Sequence, residues 1–502
     1  MDNFLIGLHA IANLQTLLML LAGSAAGIII GVLPGIGPGV AISVMLPLTY
    51  GMAPLAGITL LLGIYVGAFY GGAVTSILIR TPGEASSVMT MFDGYPMAQS
   101  GQPARALSLA FGSAFIGGVT SVVALAFVAQ PIAQFTLKFG AAEFTTTIAM
   151  AFAMMAYAYS DRIPLAIMGT GLGVFIATVG LDANSSQQRY TFGVTQLLSG
   201  FPLIPIVIGL FGMAQAIVLF SSTSTTKVQP VEGAKLDLKA FLEPLKYPGV
   251  LSKAVGIGTL IGILPAVGST LSTTLAYFEA KRSSPDPSRF GKGEPRGIVA
   301  AEGANNSNSG GAMTTLLTLG VPGDAITAII MVVFFVHGVP PGPGLFTERP
   351  DLVYGIFAAL IAINVCIFGL LLVFTKHLAS LMYISPRLLG IVIMTLCTIG
   401  AFSVSNSFYD VGLALASGLI GWMFAISGVP VVPIVLGMVM GDIFEASLRQ
   451  ALTISDGSFL IFLERPISAA MLLLGCLVMG WGPLKRRVSR RRQMAAPAAR
   501  KA

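Results

Sequence analysis

Asn305-Asn306-Ser307-Asn308-Ser309 sets a run of amide and hydroxyl oxygens side by side, and Gly310-Gly311 and Thr314 follow. Such oxygens, with exposed carbonyls, suit a hard monovalent cation. Asn305, Asn306, Ser307 and Asn308, with Gly71 from a matching run, are therefore candidate cation ligands. A solvated polar loop is the plainer reading, but this run abuts Gly-Gly and enters an apolar segment. Two further segments, Gly35-Ile36-Gly37-Pro38-Gly39 and Gly268-Ser269-Thr270, follow prolines inside apolar stretches. A helix starting there offers free N–H groups and positive partial charge, which suit a carboxylate, while Gly and Ser allow close approach. Steric need for glycine in a tight turn is compatible with that role. Gly35, Gly37, Gly39, Gly72, Thr75, Gly268, Ser269, Thr270, Ser309, Gly310, Gly311 and Thr314 are the candidate substrate contacts. Pro82-Gly83-Glu84 and Pro322-Gly323-Asp324 each put an acid just after a turn. Either the acid caps a helix or, at membrane depth, it serves a gate or a coupling ion. Arg80 has three readings: a fork onto a carboxylate, a side chain snorkelling to a headgroup, or a structural pair.

No Ser-His or HExxH arrangement marks a membrane-embedded hydrolase, so the chain is not read as an enzyme. His9, His337 and His377 are scattered, and Cys366, Cys397 and Cys476 show no CxxC spacing. No cofactor is expected, and no metal beyond a coupling cation.

The elements that must position these residues are set by composition. Of 502 residues, 55% are hydrophobic and only 10% charged. A soluble chain has about 25% charged residues, so most of this surface must face a lipid bilayer. The apolar runs predict an all-α polytopic membrane protein with about 10–12 crossings of roughly 20 residues each. The net charge of +7 comes largely from the tail Lys485–Arg492. After an apolar span such a tail reads as a cytoplasmic anchor, not a nucleic-acid site. Met1–His9 lacks the basic start of a cleavable signal peptide.

An internal duplication organises the chain. Gly31-Val-Leu-Pro34-Gly35-Ile-Gly37 matches Gly262-Ile-Leu-Pro265-Ala266-Val-Gly268. Gly71-Gly72-Ala-Val-Thr75 matches Gly310-Gly311-Ala-Met-Thr314, and Pro82-Gly83-Glu84-Ala85 matches Pro322-Gly323-Asp324-Ala325. Asp93-Gly94-Tyr95-Pro96 then aligns with His337-Gly338-Val339-Pro340. The predicted organisation is a first repeat over 1–220, a polar connection over 221–249, a second repeat over 250–484 and the basic tail 485–502. A central proline and basic flanks on both sides make Val250–Phe278 a re-entrant hairpin, with Thr16–Leu48 its counterpart. The second element of each repeat is expected to be a helix broken at Gly71-Gly72 and at Asn305–Gly311. Paired broken segments point to a transporter's binding site, with the repeats inverted about an axis in the membrane plane.

These motifs resemble a known family. Gly31–Gly39, Tyr70–Ser76, Thr81–Ser86, Phe92–Ala98, Ala304–Gly311 and Leu319–Gly323 are similar to the large, translocating membrane subunit of the tripartite tricarboxylate transporters. The resemblance covers nearly the whole chain. It implies secondary active uptake of a tricarboxylate such as citrate, or of another carboxylate, across the bacterial inner membrane. It also implies a small membrane subunit and a periplasmic substrate-binding protein as partners. The drive would be a cation gradient, sodium or else protons, working as symport, and the absence of any GxxxxGK[ST] run is compatible with this. Ion-coupled dicarboxylate carriers that work as elevators, often as homodimers, supply an analogy for alternating access. The rival functions are an uncoupled channel for organic anions and a membrane-embedded enzyme.

Overall fold

Helix after helix begins on a proline. Pro38, Pro54, Pro103, Pro248, Pro295 and Pro386 each stand in a first turn, where a missing N–H costs nothing. The computed structural model describes residues 2–33, 35–182, 185–221, 236–381, 384–477 and 479. Pro34 of the first tip, residues 222–235 of the polar connection and the basic tail 485–502 lie outside the described residues.

In chain order the main helices are α1 (Asp2–Ile11), α2 (Leu14–Val32), α3 (Pro38–Met45), α4 (Pro54–Ile79), α5 (Val88–Gln99), α6 (Pro103–Thr136), α7 (Ala141–Ala158), α8 (Ile163–Ala177) and α9 (Leu203–Ser221). After the connection come α10 (Pro248–Ile263), α11 (Ser269–Arg282), α12 (Pro295–Leu319), α13 (Ala325–Val336), α14 (Pro350–Leu381), α15 (Pro386–Ser405), α16 (Phe408–Ser427), α17 (Val432–Ile454) and α18 (Pro466–Leu477). Among the described residues, strand is confined to Gly180–Leu181 paired antiparallel with Gln188–Arg189. The chain is an all-α polytopic membrane protein. Among the described residues, seven helices (α2, α4, α6, α9, α14, α15 and α16) are long and apolar enough to cross a bilayer. That is fewer than expected, because α8, α10 and α13 stop at 15, 16 and 12 residues.

Two compact units form, and neither follows the sequence halves. One takes the described residues of Met1–Leu137, Pro202–Leu264 and Gly268–Ile426. The other takes those of Lys138–Phe201, Pro265–Val267 and Ser427–Ala502. In the smaller unit α17 packs on α7 and α8. Ion pairs tie its ends: Arg449 to Asp182 at 2.9 Å, Arg189 to Glu445 at 2.7 Å and Arg465 to Glu143 at 3.5 Å.

The larger unit is built around α4 and α12. Every residue from Ala56 to Leu78 and from Gly297 to Thr318 is buried. Both helices run unbroken, which corrects the expectation of breaks at Gly71-Gly72 and Asn305–Gly311. Glycine serves here to bring backbones together. A Cβ on Gly23, Gly27 or Gly31 of α2 would fall 2.3–2.7 Å from carbonyl oxygens of Leu60, Gly63 or Ala68. Gly63, Gly67 and Gly71 answer from α4, spaced as in other tightly crossing membrane helices. On α10, a Cβ on Gly258 or Gly262 would fall 2.4 or 2.5 Å from Ala304 O or Asn308 O, and one on Gly311 would fall 2.3 Å from Thr259 O. The polar run stays helical because its hydroxyls bond within the helix, Ser309 to Asn306 O (2.7 Å) and Thr314 to Gly310 O (2.9 Å).

The breaks come one step later. Arg80 (φ 54°) and Gly320 (φ 67°) end α4 and α12 in the left-handed region, and Pro82 and Pro322 prevent a restart. Contacts also shift the register of the duplication. Gly31 lies on Gly71, as Gly262 lies on Gly311. Gly83 meets Gly31 O and Gly72 Cα, as Gly323 meets Gly262 O and Ala312 Cα. Gly71 thus answers to Gly311, one residue on from the sequence match with Gly310. Asp93 lies inside α5 whereas His337 follows the end of α13, so that match marks no shared position.

Candidate functional site

All the side chains of this site belong to the larger unit. Its first component is a pair of helix starts. Gly37 precedes α3 and Gly268 (φ 78°) precedes α11, and neither helix receives a side-chain cap. The first-turn N–H groups of α11 are therefore available to an anion, whereas on α3 Pro38 has no N–H and Val40 N bonds to Gly37 O at 3.1 Å, which leaves the Gly39 N–H. Space is open at Gly37, where an added Cβ would meet nothing within 4 Å. Gly35 is exposed, and its carbonyl accepts from Gln215 Nε2 at 2.7 Å. Both starts border α13. A Cβ at Gly39 would lie 3.2 Å from Ile329, and one at Gly268 would lie 3.7 Å from Asp324 Cβ. Ser269 and Thr270 form the first turn of α11, with Thr270 exposed.

The second component is a set of acids with no base beside them. Asp324 caps α13: its Oδ1 accepts from Ile326 N (3.1 Å), Thr327 N (2.7 Å) and Thr327 Oγ1 (2.8 Å). Its Oδ2 accepts from Tyr65 Oη at 2.5 Å and Asn308 Nδ2 at 3.4 Å. Glu84, half-buried, accepts from Ser86 Oγ and from Asn305 Nδ2 at 3.3 Å. Glu302, fully buried within α12, accepts from Thr90 Oγ1 of α5 and from Asn306 Nδ2 at 3.5 Å. The ion pairs of the described residues lie elsewhere, and none reaches Glu84, Glu302 or Asp324. The amide oxygens of Asn305, Asn306 and Asn308 are buried without a hydrogen-bond partner. That is the opposite of what a buried polar atom normally shows.

The remaining candidates divide between this site and the packing around it. Gly72 faces Glu84 and Ser87, and Thr75 Oγ1 lies 3.0 Å from where a Cβ on Gly83 would stand. Gly71 turns to α2, Ser307 to Gly258 of α10, Gly310 to Ser121 of α6 and Gly311 to α10. These four lie in helix interfaces with no room for a ligand, and Ser309 and Thr314 spend their hydroxyls within α12. Pro82, Gly83, Pro322 and Gly323 form the connections that deliver the acids. Arg80 stacks over Tyr95, 5.7 Å from the ring centre. Glu302, Thr90 and Tyr65 escape sequence reading. An acid inside the apolar run Ile298–Ala304 was the available signal for Glu302.

Nearby, Asp93 fixes the approach to α12. Its Oδ1 accepts from the backbone N–H groups of Gly291, Lys292, Gly293 and Glu294 at 2.8–3.1 Å, and its Oδ2 from Tyr277 Oη at 2.8 Å. Outside the spanning segments, Arg105 holds the Glu243 carboxyl below the usual glutamate range by hydrogen bonding to it.

A model of the tripartite tricarboxylate transporter TctA family matches residues 17–436. An uncharacterized 52.8 kDa protein of the TAR-I ttuC' 3' region of Agrobacterium vitis is 32% identical over 447 residues, 88% of each chain. A second Agrobacterium vitis protein, from the TAR-II ttuC' 3' region, is 34% identical over 228 residues, 45% of this chain and 94% of its own. No solved structure matches the chain.

Proposed function

The chain belongs to the tripartite tricarboxylate transporter TctA family, and from that premise we propose that it is the translocating subunit of a cation-driven carboxylate carrier. It sits in the bacterial inner membrane with its C-terminal tail in the cytoplasm. The substrate is a carboxylate of the citrate class, delivered by a periplasmic binding protein, and a small membrane subunit completes the system. The uncapped starts of α3 and α11 take the carboxylate. The amide oxygens of Asn305, Asn306 and Asn308 take the coupling cation, sodium with protons as the alternative. An elevator-like movement gives alternating access.

The observation that carries this reading is the pairing of opposites within one unit: the start of α11, with free donors, borders Asp324, and buried amide oxygens near the acids offer free acceptors. An anion alone would be repelled by Glu84, Glu302 and Asp324. A bound cation removes that repulsion, which makes the two ligands bind together. The test is uptake of labelled citrate and other carboxylates into liposomes holding this chain, the small subunit and the binding protein. Uptake should follow an imposed sodium or proton gradient, and Asn305→Ala with Asn308→Ala should lower it at least tenfold. Equal uptake without either gradient would overturn coupling and favour a channel.

A further inference from the structure

Glu302 is a fully buried acid with little beside it to offset a charge. Asp324 has the start of α13 and three donors from its first turn, and Glu84 is only half-buried. Glu302 has neither. It lies inside α12 at 0% exposure, where no helix end supplies partial positive charge. Its donors are the Thr90 hydroxyl and the Asn306 amide at 3.5 Å. A buried carboxylate without a counter-charge is strongly unfavourable.

Two observations show what fills the deficit. Asn305 donates to Glu84 at 3.3 Å, so Glu84 lies on the same stretch of α12 as Glu302. Asn305 and Asn306 turn their amide nitrogens to these acids, and their amide oxygens are buried and unpartnered. Every available ligand atom is thus a hard oxygen. Among the described residues no three His, Cys, Asp or Glu side chains lie close enough to hold one metal ion together. Asp324 is held by its own donors at the start of α13, and a divalent ion that needs several carboxylates has no cage.

We infer that Glu302 and Glu84, with the amide oxygens of Asn305 and Asn306 and the hydroxyl of Thr90, form a binding centre for one small alkali cation. Glu302 supplies the charge that pays for dehydration. The inference rests on the proposed cation coupling and deepens it by naming the carboxylate responsible. Both sequence halves contribute: Glu84 and Thr90 come from the first, and α12 from the second. Occupancy therefore fastens α12 to α5 and to the connection after α4. Asp324, by contrast, is a positioning residue that holds the start of α13.

The test is thermal unfolding of the full-length chain, purified in detergent, in sodium, lithium or choline chloride at constant ionic strength. Alongside it, sodium dependence of carboxylate uptake is measured in liposomes with both partners. The wild type should melt higher in sodium and lithium than in choline, with a midpoint that climbs with sodium concentration. Glu302→Gln keeps the shape and removes the charge. It should melt in choline at or above the wild-type temperature, lose the sodium response, and need at least a hundredfold more sodium for half-maximal uptake. A purely structural Glu302 would give a lower melting point in every salt with the sodium response intact, which overturns the inference. Thr90→Val, which leaves both acids in place, should raise the sodium requirement about tenfold; an unchanged requirement also counts against the centre. If wild-type uptake ignores both gradients, the coupled-carrier reading itself fails. If wild-type uptake follows sodium and Glu302→Gln behaves as wild type, only the present inference fails.

Discussion

Two glycines six residues apart on α10 make opposite demands. An added Cβ at Gly256 would meet nothing within 4 Å, whereas at Gly262 it would stand 2.5 Å from Asn308 O and 3.0 Å from Gly311 Cα. Ordinary contact begins near 3.4 Å, so Gly262→Ala forces α10 and α12 apart by roughly 0.9 Å. Overpacking of this kind costs about 1–3 kcal/mol. The shift also strains the 2.6 Å bond from Thr315 Oγ1 to Ile263 O, which adds about 1 kcal/mol. Gly256→Ala meets no obstacle and gains helix propensity, up to about 1 kcal/mol. One kcal/mol shifts the melting point of a large domain by about 2–4 °C. In detergent, Gly262→Ala should melt at least about 4 °C below the wild type, and Gly256→Ala at or above it. Circular dichroism or a thiol-reactive dye reads both. A Gly262→Ala protein as stable as Gly256→Ala would refute the claim that α10 and α12 touch backbone to backbone. It would also reopen a loosened helix at Asn305–Gly311.

Two other perturbations test different parts of the larger unit. Asp93→Ala leaves four N–H groups of 291–294 without their acceptor, a loss of about 3 kcal/mol or more; trypsin should then cut faster after Arg289 or Lys292, and an unchanged cleavage rate would contradict the anchoring role. Glu243 is held below the usual glutamate range by Arg105, so its contribution is complete above that range and disappears as pH falls through the lowered folded value. Wild type and Arg105→Gln should therefore differ at pH 7 by at most about 1 kcal/mol, because the arginine is partly exposed, and should converge as pH falls through the lowered folded value. A gap that widens on acidification would reverse the assigned sign.

Hydropathy and proline placement made the helices legible before any coordinates. The spans of α6, α9, α14, α15 and α16 all follow from apolar length, because lipid leaves a chain few other ways to satisfy its backbone. The helix starts after Gly37 and Gly268 were legible for a related reason: Pro38 opens one helix and an uncapped Gly268 the other. The supposed breaks were misread because glycine has two uses. Gly71 and Gly311 look like punctuation in a one-dimensional reading, yet their contacts with Gly31 and Gly262 make them the closest-packed parts of two straight helices. Glu302 was missed because its meaning is non-local. Thr90 lies 212 residues away in sequence, as Tyr65 lies 259 from Asp324, and no spacing rule joins them.

The same packing explains why the acids sit where they do. Helices that touch along glycine rows cannot bend locally without separating whole faces, so α4 and α12 act as rods. Conformational freedom is left to the connections at Arg80–Glu84 and Gly320–Asp324, where the chain has already left helical order. Each connection ends in a carboxylate whose partner is a side chain of the opposite half: Asn305 of α12 for Glu84, and Tyr65 of α4 for Asp324. A change in the charge balance of either carboxylate is therefore felt where one half's hinge meets the other half's rod. In a carrier whose cation neutralises Glu302 and Glu84, that arrangement ties occupancy of the site to the segments able to move. The free energy of cation binding then acts on the hinges directly instead of being spread through the stiff helical core.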